Sequence, residues 1–226
     1  GMMLVFKQST GQPVAILHDE CYLTDVRTAV AGAVAAKYLS PSNVKTIGIV
    51  GTGVQARLQL RYLKDIVNCR NVIVWGRNQK ALLRYEKEMS MYEYQITTTT
   101  NMSDIVEHCQ LIVTCTPSER SLINAVRPGT HITAIGSDTV SKRELSSDVM
   151  LQADMIVTDS KDQSRIRGEI YQVLKDGNSL DGITELGQII SGKIEGRVSQ
   201  EHITIADLTG VAVQDIQISK AVLKNL

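Results

Sequence analysis

The sequence predicts an α/β protein built on a Rossmann-type doubly wound parallel sheet, and three observations predict it. Short apolar runs rich in strand-forming residues alternate with helical patterns through the middle of the chain. The runs are apolar throughout rather than alternating, as suits strands covered on both faces by helices. A glycine turn, Gly51-Thr52-Gly53, stands between the run at 47–50 and a helical pattern over 54–66. A second, smaller region made from both chain ends is expected to flank the sheet. The expected division is an N-terminal hairpin and helix over 1–42, a dinucleotide-binding domain over 43–195, and a segment over 196–226 that returns to the N-terminal region.

Composition narrows the partner. The 226 residues are 43% hydrophobic and 21% charged, ordinary for a globular chain long enough to bury a core. Lys and Arg (24) balance Asp and Glu (24), which gives no electrostatic case for nucleic acid or an acidic membrane surface. A small molecule is the expected partner. The longest small apolar stretch, 28–36, is bounded by Arg27 and Lys37 and is too short to span a bilayer. The four cysteines, Cys21, Cys69, Cys109 and Cys115, show neither CxxC nor Cys/His ligand spacing, so neither a metal site nor a disulfide framework is expected. That cysteine pattern fits a reducing, cytoplasmic setting best. Gly1 ahead of Met2 reads as an expression scar.

The elements follow in order. Residues 3–18 read as two short strands, LVFKQ and PVAIL, joined by a turn in which Gly11 supplies positive φ. Such a hairpin is marginal alone and needs a neighbour, either a later part of the chain or another copy. Residues 22–39 read as a helix capped by Thr24 or Asp25, with a run of alanines for close packing, ended by Pro41 and Asn43. Strands are then predicted at 46–50, 71–76, 94–99, 111–116, 131–136 and 155–160, with helices over 79–92, 103–108 and 142–151. Beyond Ser160 the alternation stops. A short helix opens at Gly168 and Glu169, another spans 185–191, 202–208 is a final extended run, and a helix covers 211–223.

The turn at 51–53 carries the first chemistry. Gly51 permits the tight turn and Gly53 the close approach of a pyrophosphate, while Val54 and Gln55 open the helix whose free amides favour negative charge. Ala56 fills the third position of the fingerprint. The residue that ends the second strand chooses the cofactor, because an acid there accepts from the adenosine 2′-hydroxyl. Here stand Gly76, Arg77 and Asn78. Arg77 offers a planar fork for a 2′-phosphate, with Asn78 and Lys80 assisting, or is a solvated loop residue; NADP is favoured, with NAD the alternative. The ends of the fourth and fifth strands bring Thr114, Cys115, Thr116 and then Gly136, Ser137, Asp138 to the same edge. Asp138 is a general acid/base held at raised pKa by partial burial, or a turn aspartate. Lys142 balances its charge, touches phosphate, or opens a solvated helix.

Together LTDVRTAVAGAVAAKYL at 23–39, GIVGTGVQARLQL at 48–60, TCTPS at 114–118, PGTHITAIGSD at 128–138, GE at 168–169, ITELGQIISGKIEGR at 183–197 and ITIADLTGVAVQD at 203–215 resemble the ornithine cyclodeaminase/mu-crystallin family. The resemblance covers nearly the whole chain in order. It implies a nicotinamide enzyme acting at an amino-acid α-carbon, as a cyclodeaminase, a ketimine reductase or an amino-acid dehydrogenase; separately, strand edges that want cover predict a homodimer joined through the hairpin region. The resemblance implies that Arg27 and Thr28 approach the cofactor phosphates with Val54 and Gln55, that Arg77 and Asn78 flank the adenosine, that Thr114 and Thr116 lie along the cofactor, and that Thr209 and Gly210 close over the nicotinamide. Asp138 matches the family's catalytic acid/base. Family members carry a longer N-terminal region with an arginine and a lysine that grip the substrate carboxylate, and Lys7 does not fall where that lysine is expected. A family member that binds NAD(P) without catalysis is therefore the alternative expectation.

Overall fold

The computed structural model describes residues 1–225. The hairpin pairs β1 (Met2–Phe6) antiparallel to β2 (Pro13–His18), with Leu4 opposite Ile16. Alternation then sorts the side chains. Met3 turns inward to meet Ser219, while Met2, Leu4, Phe6 and Ile16 stay exposed. The helix α1 (Tyr22–Leu39) follows. Its N-terminal acceptor is Asp19, which takes the Leu23 N–H at 2.7 Å, rather than Thr24 or Asp25 as expected. Those two fall inside the first turn because Cys21, in a left-handed conformation, already turns the chain into the helix. The small residues Ala29, Ala33, Ala35 and Ala36 are buried along one face.

The parallel sheet begins with β3 (Ile47–Val50), α2 (Val54–Leu63), β4 (Asn71–Trp75), α3 (Gln79–Met89), β5 (Gln95–Thr99) and α4 (Met102–His108). It continues with β6 (Leu111–Thr114), β7 (His131–Ala134), α5 (Ser147–Leu151), β8 (Met155–Thr158), α6 (Lys161–Ser164), α7 (Glu169–Lys175), β9 (Thr184–Glu185), α8 (Leu186–Ile190), β10 (Thr204–Asp207) and α9 (Ala212–Lys224). The strand order is β5-β4-β3-β6-β7-β10-β8-β9, and every pairing is parallel. The chain winds outward from β3 in one direction and returns to its other side at β6. The crevice beyond the carboxyl ends of β3 and β6 is therefore the topological switch point, where open α/β sheets bind ligands.

All six predicted strands are present. The extended run predicted at 202–208 is β10, and it lies inside the sheet between β7 and β8, paired to both. Its residues are buried, and so are Ile203 and Leu208 on either side, which suits a strand covered on both faces. The helix predicted over 142–151 is confined to α5. Leu145 bridges in parallel to Ile123, with Glu144 O accepting from Leu122 N and Ile123 N and Ser146 N donating to Ile123 O, so the segment stays extended until Ser146 caps the turn that follows by accepting from Val149 N.

Alternate strand residues feed two apolar layers. On one face Ile47, Ile49, Val72, Val74, Leu111 and Val113 pack with α1, α2, α3 and α8; on the other Ile112, Ile132, Ile156 and Ile205 pack with α4, α5 and α7. Buried tyrosines lock the first layer, since Tyr85 Oη donates to Ala56 O (2.9 Å) and Tyr94 Oη to Leu60 O (2.7 Å), both on α2. At the amino ends of the strands Arg197 donates to Leu39 O (2.6 Å), His202 O (2.6 Å), Thr130 O (3.0 Å) and Thr204 Oγ1 (2.9 Å). His131 is buried beside it, its Nδ1 at Thr204 and its Nε2 at Thr133. Burial, and then the Arg197 charge, push the imidazole down to about 3, so it is neutral at ordinary pH.

Candidate functional site

The turn after β3 forms one wall of the crevice. Gly51 has φ +129°, a conformation that side chains rarely adopt, and its N–H donates to Trp75 O at 2.9 Å. Gly53 precedes α2 in extended conformation and offers no side-chain cap, so the first amides of the helix stay open to an anion. Arg57 braces the turn from beneath: Nη1 donates to Thr52 O (2.5 Å) and Gly53 O (2.8 Å), and Nε pairs with Glu88. Gly51, Thr52, Gly53, Trp75, Gly76, Arg77, Thr116 and Pro117 are among the residues enclosing a cleft of about 170 Å³. Arg77 is exposed and has no ion pair among the described residues. Asn78 is committed to capping α3, its Oδ1 accepting from Lys80 N (2.9 Å) and Ala81 N (3.2 Å).

A second cleft of about 180 Å³ adjoins the first, sharing Cys115, Thr116 and Pro117 with it and adding Gln55, Ile135, Gly136, Asp138 and Lys142. Lys142 Nζ donates to Asp138 Oδ1 at 2.6 Å, and the two side chains are 27% and 55% exposed. The partial burial expected of Asp138 is therefore absent: β7 ends at Ala134, the chain bends at Gly136, and the Asp138 carboxylate reaches solvent. Thr114 ends β6 fully buried, its Oγ1 without a hydrogen bond among the described residues. Gln55 Nε2 donates to Asp25 O (3.1 Å) and Asp25 Oδ1 (3.0 Å), which ties the cradle helix to α1, while its Oε1 is buried and unpartnered.

The four positions inferred only from family resemblance lie on α1 and after β10, engaged with protein groups. Arg27 bonds Asp215 Oδ1 and Gln214 Oε1, each at 3.0 Å, and Thr28 Oγ1 bonds Thr24 O within its own helix. Thr209 Oγ1 donates to Asp159 (3.1 Å) and accepts from Gln163 Nε2 (2.6 Å), and Gly210 N donates to Asp159 (2.6 Å). Gly51, Gly53, Arg77 and Thr116 thus share one cleft, Gln55, Thr116, Asp138 and Lys142 its neighbour, and Arg27 and Gly210 meet further along. Val54, the first residue of α2, points to solvent.

Sequence reasoning missed three buried acids beneath this edge. Glu144 accepts from Thr116 N (2.6 Å), Thr116 Oγ1 (2.8 Å) and Gly136 N (2.9 Å). Glu169 accepts from Ser137 Oγ, Glu144 N (2.7 Å) and Leu145 N (3.1 Å). Asp207, at the end of β10, accepts from Ile170 N at 2.9 Å. Burial, then the Glu169 charge, push Glu144 up to about 7 and Asp207 up to about 8; burial also raises Glu169. One signal was available: Asp207 closes an otherwise apolar run, ITIAD, where an acid demands a buried partner.

An open parallel sheet with a strand, glycine turn and helix at its switch point defines a Rossmann-type protein. The chain belongs to the ornithine cyclodeaminase/mu-crystallin family, whose model matches residues 1–226. It is 41% identical over 224 residues to an uncharacterized cyclodeaminase of Sinorhizobium fredii, covering 97% of this chain and 68% of that protein. Among solved structures it is similar to an archaeal alanine dehydrogenase dimer with bound NAD (TM-score 0.91, 33% identity, 100% of this chain and 72% of that one). It is also similar to the iminosuccinate reductase of Paracoccus denitrificans in complex with NAD+ (TM-score 0.91, 31% identity, 99% and 69%). No helix among the described residues is long and apolar enough to cross a membrane.

The shifted acids give a pH dependence. A carboxyl whose folded pKa is raised contributes stability that is complete below its unfolded value, near 4, and is lost as pH rises through the folded value. For Glu144 and Asp207 that loss runs up to pH values of about 7 and about 8. His131 has the opposite sign, since its depressed pKa costs stability as pH falls below about 6.5. Between pH 6.5 and 8 the acids act alone, so the urea midpoint should fall across that interval. A midpoint that rises there would contradict the assignment.

Proposed function

We propose that the chain is a nicotinamide-dependent oxidoreductase-like enzyme acting at the α-carbon of a small amino or imino acid, as a cyclodeaminase, a ketimine reductase or an amino-acid dehydrogenase. The observation that carries this reading is the junction at Thr116, where an open helix start suited to a pyrophosphate adjoins a cleft holding an accessible acid, Asp138. The relatives described as an alanine dehydrogenase and an iminosuccinate reductase, each bound to NAD, support the same class.

The residues present fit a dinucleotide. The amides that open α2 at Val54 and Gln55 would receive the pyrophosphate, with Gly51 and Gly53 allowing its approach. Arg77 and the free amide of Asn78 would flank the adenosine, and Thr114 and Thr116 would lie along the nicotinamide half. Arg27, Thr28, Thr209 and Gly210 would close the far side, Arg27 giving up Asp215 or Gln214 to do so. When bound, the nicotinamide accepts or donates hydride at the substrate α-carbon. The chain itself moves the proton. Lys142 occupies Oδ1 of Asp138 and leaves Oδ2 for the substrate nitrogen, so the acid/base is oriented by one ion pair and reachable from solvent.

Two finer readings rest on single features. Arg77, with no acid ending β4, supports preference for NADP; an acid there would repel the 2′-phosphate. The exposed face of Met2, Leu4, Phe6 and Ile16 supports a homodimer joined through the hairpin, because two such faces brought together would bury apolar surface that a lone hairpin leaves wet.

Three measurements test these readings. With NADPH and a panel of cyclic imines, or with alanine and ornithine in the oxidative direction, the protein should turn over substrate, and Asp138→Asn should lower kcat by roughly 10²–10⁴-fold. Absence of hydride transfer with every substrate would leave the non-catalytic family member as the reading. Fluorescence titration should show NADPH bound more tightly than NADH, with Arg77→Ser weakening NADPH by roughly tenfold, as loss of a charge-assisted contact implies; tighter NADH binding by the unaltered protein would overturn the preference. Light scattering at micromolar concentration should report a dimer that Leu4→Glu converts to a monomer, and a monomeric unaltered protein would remove the hairpin interface.

A further inference from the structure

Of the buried acids, Glu144 joins two strand ends. Its Oε1 receives the N–H and hydroxyl of Thr116, just past β6, and its Oε2 receives the N–H of Gly136, just past β7. Thr116 lines both clefts, and Gly136 stands two residues before Asp138. The approach is tight: a Cβ at position 136 would collide with the Glu144 carboxylate and with Thr116 O, so only glycine fits there. From below, Glu169 takes the Glu144 and Leu145 N–H groups, and Gln172 Nε2 donates to Val140 O and Lys142 O, both at 3.0 Å. The loop that carries Asp138 is therefore bonded on both sides.

A carboxylate is a costly choice for such a place. Burying an acid beside another acid is unfavourable, and an apolar residue of similar size fills space better. What an apolar residue cannot do is accept hydrogen bonds from two separate chain segments. The planar carboxylate has two acceptor oxygens, one for each loop, whereas glutamine has a single acceptor and must turn an N–H₂ toward one of them. The Thr116 hydroxyl can accept from that group, but the backbone N–H groups cannot.

We propose that Glu144 is a positioning residue for the reaction: by bracketing Thr116 and Gly136 it sets the distance between the cofactor cleft and the Asp138 loop. The functional consequence rests on the dinucleotide reading above; the bracket itself does not.

The test uses the full chain with Glu144→Gln, Glu144→Leu and, as a reference for simple loss of stability, Val149→Ala in the core beneath. Amide exchange is followed at 115–118 and 135–138 against β3 and β4, and NADH affinity by nicotinamide fluorescence. Glu144→Leu should accelerate exchange in the two turns at least tenfold more than in β3 and β4 and weaken NADH at least fivefold. Glu144→Gln should give a smaller change in the same turns, because one acceptor survives. Val149→Ala should leave NADH affinity within twofold and show no excess exchange at the two turns. The proposal is overturned if Glu144→Leu binds NADH within twofold of the unaltered protein and its exchange rises evenly. Should Glu144→Leu fail to fold, Glu144→Gln decides: unchanged exchange in both turns overturns the bracket. Failure of the unaltered protein to bind either NADPH or NADH would sink the dinucleotide reading, while the exchange comparison would still decide for or against the bracket.

Discussion

The sheet depends on how Arg197 is solvated. A guanidinium must satisfy its donors, and here six acceptors come from three separate places: the end of α1 at Leu39, the entry to β7 at Thr130, and the approach to β10 at Ser199, Gln200, His202 and Thr204. The acceptors are carbonyls and a hydroxyl, so the arginine organises backbone without a counter-ion. Its charge then dictates its neighbourhood. Burial and that charge keep His131 neutral, and a neutral imidazole can bridge Thr204 and Thr133 on adjoining strands. β10 is thus seated at its amino end by a cation and at its carboxyl end by Asp207, which reaches across to the start of α7.

The two ends of the sheet use opposite chemistry for a common purpose. A cationic donor, Arg197, collects carbonyls where strands begin, and acids collect amides where strands end. At the carboxyl edge these amides belong to loops, which have no ladder to satisfy them. The buried Glu144, Glu169 and Asp207, with the half-buried Asp159, supply the missing acceptors to the loops at Thr116, Gly136, Leu145 and Gly210 and to the first turn of α7 at Ile170. The clefts are consequently walled by loops whose backbones are pinned from inside the protein, leaving side chains such as Asp138 and Arg77 at the surface.

Much of this was legible in the sequence. Five of the six strands announced themselves as apolar runs, with β5, QITTT at the sheet edge, the weaker sixth, and the turn at Gly51 was readable because a strand and a helix bounded it. Family motifs added the identity. What stayed hidden was decided by partners far away in the chain. The position of β10 between β7 and β8 cannot be seen in ITIAD itself, since any covered strand reads alike. The helix expected from Lys142 failed because Glu144 O and Ser146 N, which it would have used, pair with Leu122 and Ile123 in an extended bridge. Asp138 was expected to be partly buried because the apolar run before it was; it is exposed because the strand ends at Ala134 and the chain bends at Gly136 before reaching it. Glu144 looked like an ordinary charged residue in KREL, and only the folded chain shows Thr116 and Gly136 converging on it.

Insertion of β10 into the middle of the sheet also sets an order of events at the ribosome. Roughly 45 residues separate β8 from β10, so at about 5–20 residues per second β7 and β8 wait a few seconds without the strand that belongs between them. During that interval their facing edges are open to mispairing, with each other or with a neighbouring nascent chain. The hazard belongs to translation rather than to the finished protein, and slower decoding between β8 and β10 would lengthen it without altering one residue of the product.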